Sequence, residues 1–294
     1  MGTRELQWSW QGTPVHLGLD ERGEGSTVLL LPALSSIATR SEMLPLMERL
    51  AGSHHVVTVD WPGFGDLPRP RLDWSPDMLS AFLDWLLESV VPRPAAIVAA
   101  GHAATYAMQH LATHPGATGR LVLVAPTWRG PFPTMSGGQR PWFARVRAAI
   151  DAPVLGHALY ALNLSRPVIR KMVTEHVYSD PSWLTPARFQ SKQAVTTAPG
   201  ARHASVRFVT GALDRVGSRA AFLALADRVA VPKLMIYGEE APRKSRAEME
   251  ALAAQPGIDT LLLPRGRLAL HEEFPDAVAA AITRFLHAGD ALSA

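Results

Sequence analysis

The chain has 294 residues, of which 47% are hydrophobic and 19% charged, a composition typical of a folded globular protein. Its formal net charge is only +3, and because lysines and arginines stand singly among acids without forming a basic run, nucleic acid is not expected as a partner. It contains no cysteine, which excludes disulfides, thiolate nucleophiles and cysteine-ligated zinc.

The first part of the chain predicts strands that alternate with helices. Two short alternating stretches, Glu5–Trp10 and Pro14–Leu19, predict an opening hairpin, and the apolar run Ser26–Leu31 predicts a strand buried on both faces. The following elements are helix Ser41–Leu50, strand His55–Val59, helix Pro76–Ser89, strand Ala95–Ala100, helix Ala103–Thr113 and strand Arg120–Ala125. This order predicts right-handed crossovers and a mainly parallel, twisted sheet with helices on both faces.

The alternation stops between residues 130 and 207. Prolines recur there between helical stretches such as Trp142–Asp151 and Leu155–Leu162, without a strand pattern. The alternation then resumes as helix Ser218–Val229, strand Lys233–Tyr237, helix Ser245–Ala254, strand Asp259–Leu263 and helix Pro275–His287. We therefore predict an α/β core domain of residues 1–129 and 208–294, with residues 130–207 inserted after the sixth strand as a helical cap.

Several motifs in this framework are typical of one family. The stretch VVTVDWPGFGDLPRP (56–70) sets Asp60 at the end of a strand before Pro-Gly-Phe-Gly, and AIVAAGHAATYA (96–107) runs from a strand through a turn into a helix. Two further stretches are VPKLMIYGEEAPRKS (231–245) and LLLPRGRLALHEEFPDAV (261–278). Together they resemble the α/β-hydrolase family over nearly the whole chain. The resemblance implies a serine nucleophile on a G-x-S-x-G elbow, an acid after the next-to-last strand and a histidine base near the C-terminus.

The elbow departs from that pattern. It reads Gly101-His102-Ala103-Ala104-Thr105, so an alanine stands in the place of the nucleophile. The His-Gly pair that helps to form the oxyanion hole is replaced by Pro32-Ala33, and Pro32 has no N–H to donate. Because an alanine gains nothing from the strained backbone of a nucleophile, we expect a relaxed turn in which Ala103 does not have a positive φ.

The acid and base positions depart as well. The acid position falls on Ala241, with Glu240 one step away, and the base position falls on Leu268, or on Arg267 if the loop is one residue longer. A nucleophile, its base and its acid act as one unit, so the joint replacement favours natural loss over a single engineered substitution. The sequence therefore predicts a pseudoenzyme without serine-hydrolase activity.

The residues at the carboxyl ends of the strands still predict a ligand-binding pocket. Arginines on three loops and the N–H groups at the start of the elbow helix suit an amphipathic organic anion, covered by aromatic side chains of the cap. Each arginine is also open to interpretation as an ordinary solvated or ion-paired side chain. The predicted ligand-binding residues are Ser35, Arg40, Trp61, Ala103, Trp128, Arg129 and Arg267.

Two classes of function stay open at this point. One is a binding protein for a small organic ligand or a protein partner. The other is an enzyme with serine-independent acid–base chemistry, such as a lyase, isomerase or cyclase, with candidates His102, Asp60, His271 and Glu240. Two titratable side chains that converge under the cap would favour the enzyme.

No cofactor and no metal are expected, since His110 and His114 stand four residues apart without a third ligand nearby in the sequence. The first residues, MGTRELQWSW, lack the basic start and apolar segment of a secretion signal, and no apolar run reaches about eighteen residues. We therefore expect a cytoplasmic, soluble protein without a transmembrane segment, and a peripheral association with a membrane stays open.

Overall fold

One eight-stranded sheet organises the molecule in the computed structural model, which describes residues 2–288. The strands are β1 Gly2–Trp10, β2 Thr13–Arg22, β3 Thr27–Leu31, β4 His55–Val59, β5 Ala96–Ala100, β6 Arg120–Val124, β7 Lys233–Gly238 and β8 Ile258–Leu263. Their order across the sheet is β1-β2-β4-β3-β5-β6-β7-β8. Strand β2 runs antiparallel to β1 and to β4, whereas the remaining neighbours are parallel, which confirms the predicted mainly parallel sheet.

The central strands are apolar along their whole length because helices cover both faces of the sheet. All five residues of β5 are buried, and three of them are alanines, so a helix can pack closely above this strand. Strand β8 at the edge alternates partly buried and exposed residues instead. The predicted hairpin is confirmed and is longer than predicted, since β1 and β2 pair from Gly2 with Glu21 to Trp10 with Thr13.

Thirteen α-helices are present in residues 2–288. They are α1 Leu44–Leu50, α2 Pro76–Trp85, α3 Ala103–Thr113, α4 Pro131–Ser136, α5 Trp142–Asp151, α6 Leu155–Asn163, α7 Arg166–Met172, α8 Pro186–Thr197, α9 Ala201–Val209, α10 Arg219–Asp227, α11 Arg243–Ala253, α12 Leu270–Glu273 and α13 Pro275–His287. Helix α1 packs on α13, while α3 packs on α2 and α10. None of the helices in this part of the chain is long and apolar enough to cross a membrane.

Two predicted helices are divided in the structure. The predicted helix Ser41–Leu50 is a 3₁₀ turn over Arg40–Met43 followed by α1, with Pro45 in the first turn of α1. The predicted helix Pro76–Ser89 is α2 followed by a π-helical turn over Leu86–Val90. Both differences are local, and the helices stay in their predicted places.

Residues 130–207, called here the helical span, contain helices and no strand. A small apolar cluster of its own packs the span against the sheet loops through Ile37 and Ala269, and its other buried members are Ile169, Val173, Tyr178, Leu184 and Phe189. The division into a core and an inserted cap stays a prediction. Helix α9 crosses the predicted boundary at residue 207.

Candidate functional site

The turn between β5 and α3 is built on Gly101. Its φ of +53° lies in the left-handed region that favours glycine, and its N–H donates to Val124 O at 2.9 Å. The next residue, His102, is already helical with φ −70° and ψ −22°, and α3 begins at Ala103. Ala103 does not have a positive φ, so the predicted relaxed turn at this residue is confirmed. The Ala103 side chain is completely buried.

His102, also on this turn, meets a carboxyl that arrives from a distant loop. Its Nε2 lies 3.4 Å from Asp214 Oδ1 and 3.4 Å from Leu213 O, and its Nδ1 has no hydrogen-bond partner. The Phe208 ring stands edge-on to the imidazole at 5.6 Å. Burial lowers the pKa of His102 to about 4, so the ring is neutral at pH 7.

Asp214 is a largely buried carboxyl with a raised pKa. Burial raises its pKa to about 7, although the N–H of Gly130, 2.8 Å from Oδ1, and the charge of Arg129 act in the opposite direction. In this pair His102 is therefore neutral at pH 7, whereas Asp214 changes its charge near neutrality.

Asp60 and Arg40 belong to an ion-pair network at the end of β4. Asp60 accepts hydrogen bonds from the backbone N–H of Arg40 at 2.7 Å and from Arg40 Nη1 at 2.5 Å. The same guanidinium lies 3.0 Å from Asp20 and 2.7 Å from Asp66. Burial raises the pKa of Asp60 to about 6 even with Arg40 beside it. A Cβ on Gly18 would lie 2.2 Å from Arg40, so the network needs a glycine at that position.

Two further predicted ligand contacts are placed inside the protein. Trp61 is 1% exposed, its Nε1 donates to Pro32 O at 2.9 Å, and its ring packs between Phe82 and Tyr106. Ser35 is half-buried, and its hydroxyl accepts a hydrogen bond from its own loop. With Ala103 buried as well, Trp61 and Ala103 are core residues and offer no exposed surface to a ligand.

The loops after β7 and β8 hold the positions that the family resemblance assigns to the acid and the base. Ala241 is buried, and Leu268 is half-buried against the main apolar core. Glu240 is exposed and accepts a hydrogen bond from the N–H of Gly266 at 3.4 Å. Arg267 donates to the backbone carbonyl of Thr174 in the helical span.

Glu248 on α11 gathers the polar groups that follow β6. It accepts hydrogen bonds from Trp128 Nε1 at 3.0 Å, Arg129 Nη2 at 2.8 Å and Arg219 Nε at 2.8 Å. Burial acts to raise its pKa, but the hydrogen bonds of Arg219 and Trp128 outweigh this effect and keep the pKa below the ordinary glutamate value. The Arg129 guanidinium also lies over the Trp128 ring, 4.4 Å from its centroid.

An open groove of about 610 Å³ runs beside this glutamate. Its charged and aromatic lining is formed by Trp128, Arg129, Asp214, Arg215, Arg219 and Glu248. Glycines at 137, 138, 211 and 217 line other parts of it and leave backbone groups accessible. Of the predicted ligand-binding residues, Trp128 and Arg129 lie together here, whereas Arg40 and Arg267 are bound to other partners.

A second polar cluster lies between the helical span and the sheet loops. Lys192 of α8 places its ammonium 2.9 Å from Glu272 Oε1 and 3.9 Å from Glu42 Oε2. The hydroxyl of Tyr178 donates to Glu272 Oε1 at 2.8 Å, and Glu42 Oε1 accepts the N–H of Ala33 at 2.6 Å. All four side chains are at least nine-tenths buried. Burial acts to lower the pKa of Lys192, but Glu272 and Glu42 raise it, so the amine stays charged.

His271 completes this cluster and is its least satisfied member. It is 1% exposed, and neither ring nitrogen has a hydrogen-bond partner, although Nε2 lies 3.4 Å from Glu42 Oε1. One donor atom each of Glu42, His271 and Glu272 lie within 4.8 Å of one another, a spacing that suits a metal ion. The ammonium of Lys192 already supplies the positive charge between the two carboxylates, so this donor set favours an ion-pair cluster over a metal centre.

The histidine pair on α3 also has a third neighbour that its sequence did not indicate. Asp84 Oδ1 lies 2.6 Å from His110 Nδ1, and the rings of His110 and His114 stack at 4.4 Å. The expectation that no third ligand-type group stands near the pair is therefore wrong, because α2 packs on α3 and supplies a carboxylate. Asp84, His110 and His114 are thus connected by the Asp84–His110 contact, by the stacked rings and by the contact of His114 Nδ1 with His110 O at 3.2 Å.

Comparison with known proteins is consistent with this geometry. A family description, the alpha/beta hydrolase family, matches residues 28–281. The chain belongs to the α/β-hydrolase family. No curated protein sequence matches it significantly.

Several solved structures share the fold of this α/β hydrolase. A malate-bound esterase from Thermogutta terrifontis is 15% identical, with a TM-score of 0.70 and 98% of each chain covered. A bromoperoxidase from Bacillus anthracis is 14% identical, with a TM-score of 0.72 and coverage of 97% of this chain and 100% of the other. A haloalkane dehalogenase from Agrobacterium tumefaciens is 17% identical, with a TM-score of 0.71 and 97% of each chain covered. At these identities the likeness is one of fold.

Tertiary structure adds four charged residues to the site of this α/β hydrolase that the sequence did not single out: Glu42, Lys192, Asp214 and Glu248. Each belongs to a loop or helix far along the chain from its partner, so no local pattern connects them. Glu248 and Lys192 also lie on helices with mixed polarity, where a charged residue is ordinarily solvated.

The raised pKa of Asp214 predicts a pH-dependent stability. Between pH 4 and pH 7 the folded protein keeps the proton that the unfolded chain has released, so the contribution of Asp214 to stability falls as pH rises through this window. Asp214→Asn retains the acceptor for Gly130 and removes the charge. We expect this variant to be more stable than wild type above pH 7, by at most about 4 kcal/mol, and the gain to vanish near pH 4.

Urea unfolding at pH 4.5, 6, 7 and 8 measures this difference, and the comparison cancels the separate titration of His102. Asp227→Asn, at an exposed aspartate, serves as the control and should show no such trend. A constant difference between Asp214→Asn and wild type at every pH would contradict the assignment.

Proposed function

We propose that this chain is a pseudoenzyme of the α/β-hydrolase family, which binds a small organic ligand without hydrolysing it. The observation that supports this most strongly is the buried, helical Ala103 at the nucleophile position. The acid and base positions, Ala241 and Leu268, hold side chains that can neither donate nor accept a proton. With Pro32 in the oxyanion loop, each part of the serine-type mechanism lacks its chemical group.

The first test concerns hydrolysis. Wild type and Ala103→Ser are both expected to leave short-chain nitrophenyl esters at the background rate, because a new serine would have no base to remove its proton. Release of nitrophenol is followed by absorbance, and Ala104→Ser serves as the matched control for a hydroxyl in the same helix. A burst of nitrophenol from Ala103→Ser alone would show that a working base exists, which would contradict the proposal.

Ligand binding is proposed for the groove beside Glu248. Glu248 pairs with both Arg129 and Arg219, whereas Arg215 pairs with Asp77, which is 83% exposed. An exposed ion pair contributes little, so Arg215 is able to exchange this partner for the anionic group of a ligand. Val216 and the glycine-lined wall of the groove suit the apolar part of an amphipathic carboxylate.

Calorimetry with medium-chain fatty acids and aromatic carboxylates tests the groove. We expect Arg215→Ala to weaken binding roughly tenfold, since a charged hydrogen bond is lost. Arg267→Ala, which lies outside the groove and binds Thr174 O, should retain the wild-type affinity. Equal affinities for wild type and Arg215→Ala, or loss of binding only in Arg267→Ala, would place the ligand elsewhere.

The second candidate function is acid–base catalysis without a serine, and the Lys192 cluster favours it. His271, Glu42, Glu272 and Lys192 converge beneath the helical span, and His271 has both ring nitrogens free of hydrogen bonds. Such a group of titratable side chains in a water-poor place is the arrangement that proton transfer needs.

If this second function holds, wild type should consume a metabolite that His271→Gln leaves unchanged. Incubation of both proteins with a small-molecule extract, followed by mass spectrometry, detects this difference. His176→Gln, a substitution elsewhere in the helical span, is the control. A metabolite profile that is identical for wild type, His271→Gln and a protein-free sample would remove the enzymatic alternative.

A further inference from the structure

The exposed apolar side chains of this protein are concentrated in one region. Eight large hydrophobic residues are exposed in the described chain, and seven of them lie between residues 135 and 168. The seven are Met135, Trp142, Val154, Leu155, Leu159, Leu162 and Val168, and the eighth is Leu262 on β8. Exposed apolar side chains concentrated in one part of a folded protein mark a region that meets an apolar partner.

Helix α6 forms the centre of this surface. It contains no Asp, Glu, Lys or Arg, and Leu155, Leu159 and Leu162 follow one another at the four- and three-residue spacing that places them on one helix face. Their exposed fractions are 57%, 38% and 71%, and Val154 just before the helix is 84% exposed. A soluble helix normally turns such a face toward the core, whereas α6 turns it outward.

Charge separates the helical span from the rest of the chain. Residues 130–207 contain ten Lys or Arg and three Asp or Glu, a net charge of +7, while the whole chain carries +3. The remaining residues therefore carry −4. Exposed cations stand next to the apolar helix, with Arg145 on α5 and Arg166, Arg170 and Lys171 on α7. The surface is thus apolar at its centre and basic at its edge.

We propose that the α6 surface docks on an anionic lipid bilayer, with the leucines inserted between headgroups and the surrounding cations paired with lipid phosphates and carboxylates. An apolar helix face with a basic surround is the pattern of helices that lie in a membrane interface. The cations are attracted to the negative surface potential of such a membrane. A second copy of the chain fits less well, because the helical spans of the two copies, each with a net charge of +7, would repel each other.

Sedimentation with vesicles tests the proposal. We expect the protein to bind vesicles of phosphatidylcholine with 30% phosphatidylserine and to bind pure phosphatidylcholine only weakly. Leu159→Ser/Leu162→Ser should abolish most of the binding, and Arg145→Gln/Lys171→Gln should lower the partition coefficient roughly tenfold or more. High salt should reproduce the second effect and leave a residual apolar contribution.

Matched controls lie outside the helical span. Leu262→Ser removes the one exposed large apolar side chain outside the span, among residues 2–288, and Arg228→Gln removes an exposed cation there. Both should bind vesicles as wild type does, and circular dichroism checks that every variant is folded. Absence of binding to anionic vesicles, or equal loss in the controls, would overturn the proposal. So would a dimer, seen by analytical ultracentrifugation, that Leu159→Ser/Leu162→Ser dissociates, since the surface would then be a protein interface.

Discussion

The buried ammonium of Lys192 between Glu272 and Glu42 is the interaction on which the arrangement above the sheet depends. One carboxylate comes from the turn after β3, the other from α12 after β8, and the cation comes from α8 of the helical span. Removal of either kind of charge would leave its partner buried without compensation, which ordinarily costs about 3–5 kcal/mol. The cluster therefore fixes where the span lies on the core, and the apolar contacts of Tyr178 with Ile37 and Ala269 support it.

The cluster also occupies a backbone donor at the mouth of the sheet. Glu42 accepts the N–H of Ala33 in the loop where the family resemblance places an oxyanion hole, so that donor is already occupied. Ala103 and Trp61 beneath it are in van der Waals contact with the core and have no route to solvent. Ala103 begins helix α3, and the positive φ of this turn falls on Gly101, where the absence of a Cβ avoids strain.

Two of the arginines predicted to bind a ligand near the elbow form ion pairs within the protein. Arg40 is shared among Asp20, Asp60 and Asp66, and Arg129 shares Glu248 with Arg219. Guanidinium groups satisfy several carboxylates at once because their donors are arranged in a planar fork. The groove on the β6 side and the apolar surface of α6 remain accessible to a ligand or a partner.

The sequence by itself determined the order and kind of the elements, because strands and helices follow from hydrophobic periods that are local. The buried run of β5 and the glycine at 101 predict a strand that turns into a helix, and the structure has that turn. The family resemblance, which rests on sequence alone, also predicts that the nucleophile, acid and base positions fall on Ala103, Ala241 and Leu268.

The partner of each buried polar side chain was decided only by the tertiary structure. Asp214 reaches His102, Glu248 reaches Arg129, and Asp84 reaches His110 across separations of 26 to 119 residues. A carboxylate in a loop or on a mixed helix looks the same in a sequence whether it is solvated or buried. Packing of the surrounding elements sets its dielectric environment, and that environment decides its charge.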